Sequence, residues 1–303
     1  MDKKNIKRSP LFYVGDKYKI LNQILPLFPQ NISSFFEPFT GGGSVFMNVV
    51  ANEYYLNDIN KDLQNIHALL ISHSNRKADF FKKVNNIVNK YSLSKSYVSD
   101  IIPDDLKKDF KKTYYAEFNK RGYFKLKDDY NKSKKKDPLI LYLLLIYGFN
   151  RMLRFNQSGN FNLPVGNVDF NKNVVTSLKS YFEDVSTKHI NLETQDFNVF
   201  LDKHKYKKND FIYFDPPYLI TFSEYNKLWS EDDEKKLLDR LDNLDKKGIK
   251  FALSNVTHYR GKKNNILIDW IKKYNVHEIK SNYISYHNNS NKQIREILIT
   301  NYV

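Results

Sequence analysis

A chain of 303 residues, 41% hydrophobic and 15% aromatic, has apolar material for one large domain or for one domain with a sizeable insertion, and is not compositionally disordered. The absence of cysteine excludes a disulfide scaffold, a thiolate zinc site and a cysteine nucleophile. The 49 basic and 34 acidic residues leave a net charge of +15, which calls for a polyanionic partner first and an anionic lipid surface second. A plain bias toward lysine and asparagine would produce the same surplus.

The N-terminus is basic but lacks the apolar stretch of a signal peptide. Residues 17–28 carry apolar side chains at helical spacing and stop at Pro29. Residues 34–39 read as a strand, followed by the loop Thr40-Gly41-Gly42-Gly43-Ser44 and a helical stretch to about Val50. A second strand is expected over 54–58 and a helix over 61–71, so the pattern is one βαβ unit opening a parallel sheet. Residues 72–173 break that rhythm. They are basic, aromatic and mostly helical in pattern, and include a buried helix over 137–149 whose apolar run is too short to span a bilayer. Between Lys107 and Lys136 there are 12 basic and 4 acidic residues, interleaved with aromatics, which reads either as a nucleic-acid face or as a solvated helix surface. Strands resume at 189–192 and 210–214, a helix capped by Ser230 and Asp233 stops at Gly248, and strands over 250–255, 276–284 and 296–302 finish the chain. The last two are expected to form a hairpin around 287–292. The fold class is therefore α/β, a doubly wound sheet interrupted by a mostly helical insertion.

Two places carry chemistry. The first is Glu37-Pro38-Phe39-Thr40-Gly41-Gly42-Gly43-Ser44, a glycine turn between strand and helix where backbone can approach a ligand. Phe46 occupies the third glycine position of a dinucleotide fingerprint, and Glu37 would repel a pyrophosphate, so adenosine without pyrophosphate fits better than NAD. Asp58 ends the next strand, where a carboxylate can accept from ribose hydroxyls. The second is Asp215-Pro216-Pro217-Tyr218 at the carboxyl end of an apolar strand. Asp215 and the Pro216 carbonyl can each accept one N–H of an exocyclic amine while Tyr218 stacks on its ring. That pulls the nitrogen toward tetrahedral geometry and frees its lone pair for in-line attack on a methyl sulfonium. A proline-stiffened turn with a capping Asp is the bland reading. The seven histidines show no ligand spacing, so no metal is expected and each reads as structural or surface.

Both motifs, their order and their spacing resemble the Dam-type, α-group DNA adenine-N6 methyltransferases, and the likeness runs over nearly the whole chain. The resemblance implies a Rossmann-like catalytic domain over 1–71 and 174–303, an inserted DNA target-recognition domain over 72–173, and S-adenosylmethionine as cofactor. It places Asp215, Pro216, Pro217 and Tyr218 in the catalytic role. Tyr13, Val14, Lys17, Glu37, Phe39, Gly41, Gly43, Ser44, Asp58, Ile59, Asp196, Phe197 and Asp215 would bind the cofactor. Residues 149–156 and 161–166 resemble the base-reading block, so Asn150, Arg151, Met152, Arg154 and Pro164 would meet DNA, with Lys134, Lys135 and Lys136 on its phosphates. Arg154 would read a guanine in a 5′-GA site, GATC first among them, unless it pairs with an acid inside the insertion. Asp16 and Arg151 stand where the family usually has glycine. An RNA adenine methyltransferase and a non-catalytic nucleic-acid binder are the rival readings. The expected partners are double-stranded DNA and a cognate restriction endonuclease, with no membrane association. The chain is expected to be a monomer or weak dimer in the cytoplasm, on the nucleoid.

Overall fold

A computed structural model describes residues 6–99, 101–221, 229–280 and 294–303. The chain opens with a single helical turn, α1 (Leu21–Ile24), and continues through β1 (Ile32–Glu37), β2 (Ala51–Asn57) and α2 (Lys61–Ser72). The insertion follows with α3 (Lys77–Lys90), α4 (Asp104–Asp109), α5 (Tyr114–Lys132) and α6 (Pro138–Tyr147). An irregular hairpin then runs over 148–165, pinned by bridges between Gly148 and Val165 and between Phe155 and Phe161. The remaining elements are α7 (Lys172–Val185), β3 (His189–Glu193), α8 (Phe197–Lys203), β4 (Phe211–Phe214), α9 (Glu231–Lys246), β5 (Lys250–Tyr259), β6 (Lys262–Lys263), α10 (Asn265–Trp270), β7 (Asn275–Ile279) and β8 (Ile294–Thr300).

The sheet order is β3-β2-β1-β4-β5-β8-β7, with β6 on β5. The strands from β3 to β5 are parallel, and β8 runs antiparallel to both β5 and β7. Both faces are covered, which is why β4 is apolar throughout and not alternating. Successive residues serve opposite sides: Phe35, Phe211 and Tyr213 face a core shared with α2, α3, α5, α6 and α7, whereas Phe36, Ile212 and Phe214 face α9. The insertion therefore shares one core with a face of the sheet. Its helix α6 is buried almost all round, begins with Asp137 accepting from the Leu139 amide and has Pro138 in its first turn.

Two expected helices shrink. The helix expected over 17–28 gives way after α1 to a 3-10 turn, Leu25–Leu27, because Pro26 removes an amide three residues before the proline expected to end it. The stretch after the glycine turn is only a 3-10 turn, Phe46–Asn48, since β2 already starts at Ala51. The Ser230–Asp233 capping box forms as the spacing requires. The expected hairpin loop over 287–292 lies outside the described residues.

Candidate active site

Strand order reverses between β1 and β4, and a doubly wound sheet opens its ligand crevice at the carboxyl ends of such a pair. A cavity of about 1040 Å³ lies there, lined on one side by Glu37–Gly42 and on the other by Asp215–Tyr218. The glycine turn needs its glycines for different reasons. A Cβ on Gly42 would sit 2.7 Å from the Cβ of Tyr13, so the N-terminal segment can press onto the turn only if that position is bare. Gly43 has φ of +72° and meets Phe46 and His67 from below. The Gly41 carbonyl accepts from His67 Nε2 at 2.9 Å, so His67 carries its proton there and can accept from the Tyr181 hydroxyl on Nδ1, 3.3 Å away. Burial lowers the pKa of this histidine to about 4, which keeps it neutral as a prop beneath the turn.

Asp58 joins that turn to the end of β2. Its two oxygens accept from the amides of Gly41 at 2.9 Å and Asn60 at 2.8 Å. Burial raises its pKa, and those two amide bonds oppose the rise. The neighbouring Asn57, fully buried, bonds Pro38 and Gln195 carbonyls and the Gln195 amide, each at 3.0 Å, and so staples the β1 and β3 loops together. Beyond that staple, Asp196 caps α8 by accepting from the Asn198 amide at 2.8 Å, and presents Phe197 against Phe39 with ring centroids 5.4 Å apart.

Asp215 follows β4 directly and is engaged on both oxygens. Oδ2 lies 2.7 Å from the Lys17 ammonium, and Oδ1 accepts from the Tyr218 hydroxyl at 3.0 Å. Lys17 also sits 5.2 Å from the centroid of the Tyr218 ring and bonds the Gly15 carbonyl at 3.2 Å. The Lys17 backbone is in turn held by Ser44, whose hydroxyl accepts from its amide at 3.1 Å. Glu37 is the less compensated counterpart, its burial opposed only by the Phe46 amide and the Lys188 charge. It is 2% exposed and its Oε2 has no hydrogen-bond partner. Burial, followed by the nearby negative charges of Asp215 and Asp58, pushes its carboxyl well above the usual range.

Of the expected cofactor residues, Tyr13, Val14, Lys17, Glu37, Phe39, Gly41, Ser44, Asp58, Ile59, Asp196, Phe197 and Asp215 line this cavity. Gly43 does not; it turns away onto Phe46 and His67, and Gly42 takes its place at the wall. Arg154 reaches the same cavity, clamped by Asn162 through Nε at 2.9 Å and Nη2 at 2.8 Å, so its hydrogen-bonding partner is an amide and not an acid. Asn150 and Arg151 border a separate hollow of about 280 Å³. Met152 packs partly into the core, and exposed Pro164 accepts from the Phe149 amide at 2.9 Å. Lys134 and Lys135 are exposed. Lys136, exposed as well, donates to the Tyr130 and Asn131 carbonyls at 3.0 and 2.8 Å, closing the carboxyl end of α5.

Trp229 escapes the motif reading. It lines the cavity, 5.8 Å from the Phe39 ring and 5.7 Å from Phe197, so three aromatic rings wall one side. Its indole donates to Glu234 at 2.7 Å, and Asn255 and Asn264 satisfy the other oxygen of that fully buried carboxylate. The only clue in the sequence was the position of Trp229 one residue before the Ser230 cap.

The D12 class N6 adenine-specific DNA methyltransferase family matches residues 13–284, a span that takes in both walls of the cavity and the insertion between them. The chain belongs to this family. It is similar to the type II methyltransferase M.FokI of Planomicrobium okeanokoites, at 36% identity over 97% of this chain and 43% of that protein. The modification methylase StsI of Streptococcus sanguinis is 37% identical over 99% of this chain and 43% of its own length. The DNA adenine methylase of Salmonella typhi is 26% identical over 71% of this chain and 66% of its own. The chain thus spans less than half the length of the first two relatives.

Adenine-N6 methyltransferases of this family use S-adenosylmethionine as methyl donor. The D12-family cavity suits such a molecule on its own chemistry. Phe39, Phe197 and Trp229 offer rings to a flat purine, and Asp58 offers acceptors to vicinal hydroxyls. The unpartnered Glu37 oxygen and the surrounding acids suit a ligand carrying positive charge. Among the described residues no helix is long and apolar enough to cross a membrane, and no cluster of three histidine or acidic side chains could hold a metal.

Proposed function

We propose that the chain transfers a methyl group to N6 of adenine in duplex DNA. One observation carries this reading: the Asp215 carboxylate and the Tyr218 ring stand in the same cavity as the acid and aromatic cluster, at the one end of the sheet where both can meet. S-adenosylmethionine, when bound, supplies an electrophilic methyl group on a sulfonium. The protein's part is positioning. An adenine turned out of the duplex, at a cost of a few kcal/mol, would stack on Tyr218. Its amine would give one N–H to Asp215 and one to the Pro216 carbonyl, which strips the nitrogen of its conjugation with the ring. Lys17 and the Tyr218 hydroxyl hold the carboxylate still, so little reorganisation is left for the reaction itself.

On this reading residues 1–71 and 174–303 do the chemistry, and 72–173 recognise the target. Arg154, steadied by Asn162, would direct the distal edge of its guanidinium at a guanine preceding the adenine. A 5′-GA site follows, with GATC the first to assay. The names of the relatives, a type II methyltransferase and a modification methylase, support service beside a cognate restriction endonuclease in the cytoplasm, on the nucleoid. A monomer or weak dimer would suffice for a site that takes one base at a time.

The test is direct. The purified chain is incubated with duplex DNA and methyl-labelled S-adenosylmethionine, and the digested nucleosides are separated. Label in N6-methyladenine is expected, and long-read sequencing of the product then gives the site. Label in cytosine or only in RNA, or cofactor binding without any transfer, would overturn the reading.

A further inference from the structure

Three of the six non-glycine residues with left-handed backbone among those described converge on one contact: Phe12 at φ +48°, Asn150 at +54° and Arg151 at +48°. The Arg151 guanidinium lies 4.3 Å from the centroid of the Phe12 ring, and the Arg8 guanidinium lies 4.4 Å from the same ring. Arg8 also reaches the Tyr18 ring at 4.9 Å, and the Arg151 carbonyl accepts from the Val14 amide at 3.3 Å. Strained backbone alone does not make a site; the two cations do. The Nε atoms of Arg8 and Arg151 are both shut away from solvent with no hydrogen-bond partner. The charges of Asp16 and Asp169 reach Arg151 through space, and Arg8 opposes it. Two like charges are held on one ring, with Asp16 as an acid near both, and the Nε donor of each has no acceptor.

The position of this pair says what the acceptor is. Tyr13, Val14, Asp16 and Lys17 form one wall of the catalytic cavity, and Leu153 and Arg154 form another. Arg151 is joined to the first wall through its carbonyl and precedes the second in the chain; it lies on the adjoining hollow with Phe149 and Asn150, which are exposed. A base that enters the cavity must bring its flanking backbone past that seam. A planar guanidinium over an aromatic face leaves its edge donors pointing away from the ring, where they can fork onto a phosphate.

We propose that Arg8 and Arg151, held on Phe12, form a phosphate-binding pair that takes the DNA backbone beside the cavity. The proposal rests on the reading of the chain as a DNA methyltransferase. It gives a role to Arg151, which departs from the glycine usual in the resembling family.

The experiment measures binding of a labelled duplex by anisotropy over a series of salt concentrations. It compares the wild-type chain with Arg8→Gln, Arg151→Gln and the double variant, on duplexes of several sequences. Each lost arginine is expected to flatten the dependence of log affinity on log salt by up to about 0.9, with the same fold-loss on every sequence. An unchanged slope in a folded double variant would reduce the stack to a structural one and overturn the proposal. A loss confined to one base pair with the slope intact would make Arg151 a base reader and overturn it equally. If the double variant loses its cooperative unfolding transition, Arg151→Lys decides: it keeps the charge but not the fork, so weaker binding at an unchanged slope is expected, and wild-type affinity would refute the role of the fork. A wild-type chain that binds neither duplex nor S-adenosylmethionine would instead take down the methyltransferase reading.

Discussion

The cavity and the lysine-rich helix α5 handle charge in opposite ways. In the cavity, acids are gathered out of water: Glu37, with one oxygen unpartnered, stays hard to ionise, while Lys17 and Tyr218 occupy Asp215 and two amides occupy Asp58. On α5, cations are spread along a wet surface and much of their charge is spent locally: Lys132 on Asp128 at 2.6 Å, Lys127 over the Phe124 ring at 4.5 Å. Next to it, Lys136 is spent on the helix end. Concentrated, desolvated charge marks chemistry. A run of charge in the sequence marks a surface, and leaves open which of its members reach a partner.

The comparison breaks first at Asp215. Asp215→Ala should lower methyl transfer by about two to four orders of magnitude while S-adenosylmethionine still binds, as followed by turnover and calorimetry. Near-normal turnover would mean that the cavity's charge is structural after all.

A second, smaller effect concerns the prop under the glycine turn. The folded pKa of His67 is about 4 against 6.5 for the free side chain, so the unfolded chain takes up a proton first as pH falls. The stability this contributes is complete above about 6.5 and is lost between about 6.5 and 4, at roughly 1.4 kcal/mol per pH unit. Denaturant melts of the wild type and His67→Gln at pH 7 and pH 5 should converge at the lower pH, with the wild type losing more. Parallel curves would contradict a neutral buried His67.

Recognition is the next test. Arg154→Ala should cost roughly 1–3 kcal/mol of discrimination at the base preceding the adenine. Methylation rates on duplexes differing only there would show it, and equal rates in the wild type would remove Arg154 from base reading. Trp229→Ala should weaken S-adenosylmethionine binding by about 0.5–1.5 kcal/mol through loss of one aromatic wall. In a Trp270→Phe background, the quenching of Trp229 fluorescence by the cofactor offers a readout independent of turnover.

The smallest effect separates neighbouring lysines. Replacing Lys134 and Lys135 by Gln should flatten the salt dependence of DNA binding by up to about 0.9 for each lost phosphate contact. Lys136→Gln should mainly lower the melting temperature, because it uncaps α5. The reverse pattern would mean that all three act as one solvated patch.

Much of this was legible in the residues. The glycine turn, the DPPY segment and the acid ending β2 are local: glycine, proline and a strand's carboxyl end impose their geometry within a few residues. The central strand β4 was legible too, since burial on both faces writes a continuous apolar run. What stayed hidden depends on residues far apart in the chain. His67 comes under the turn from α2, Trp229 is held by Glu234, Asn255 and Asn264, and Lys17 meets Asp215 across 198 positions of sequence. The failure of the helix over 17–28 was local and readable, because Pro26 was there to be weighed. The spending of Lys136 on a helix end was not, because whether a flexible ammonium turns inward to carbonyls or outward to solvent is decided only once α5 and α6 have packed and left those carbonyls within its reach.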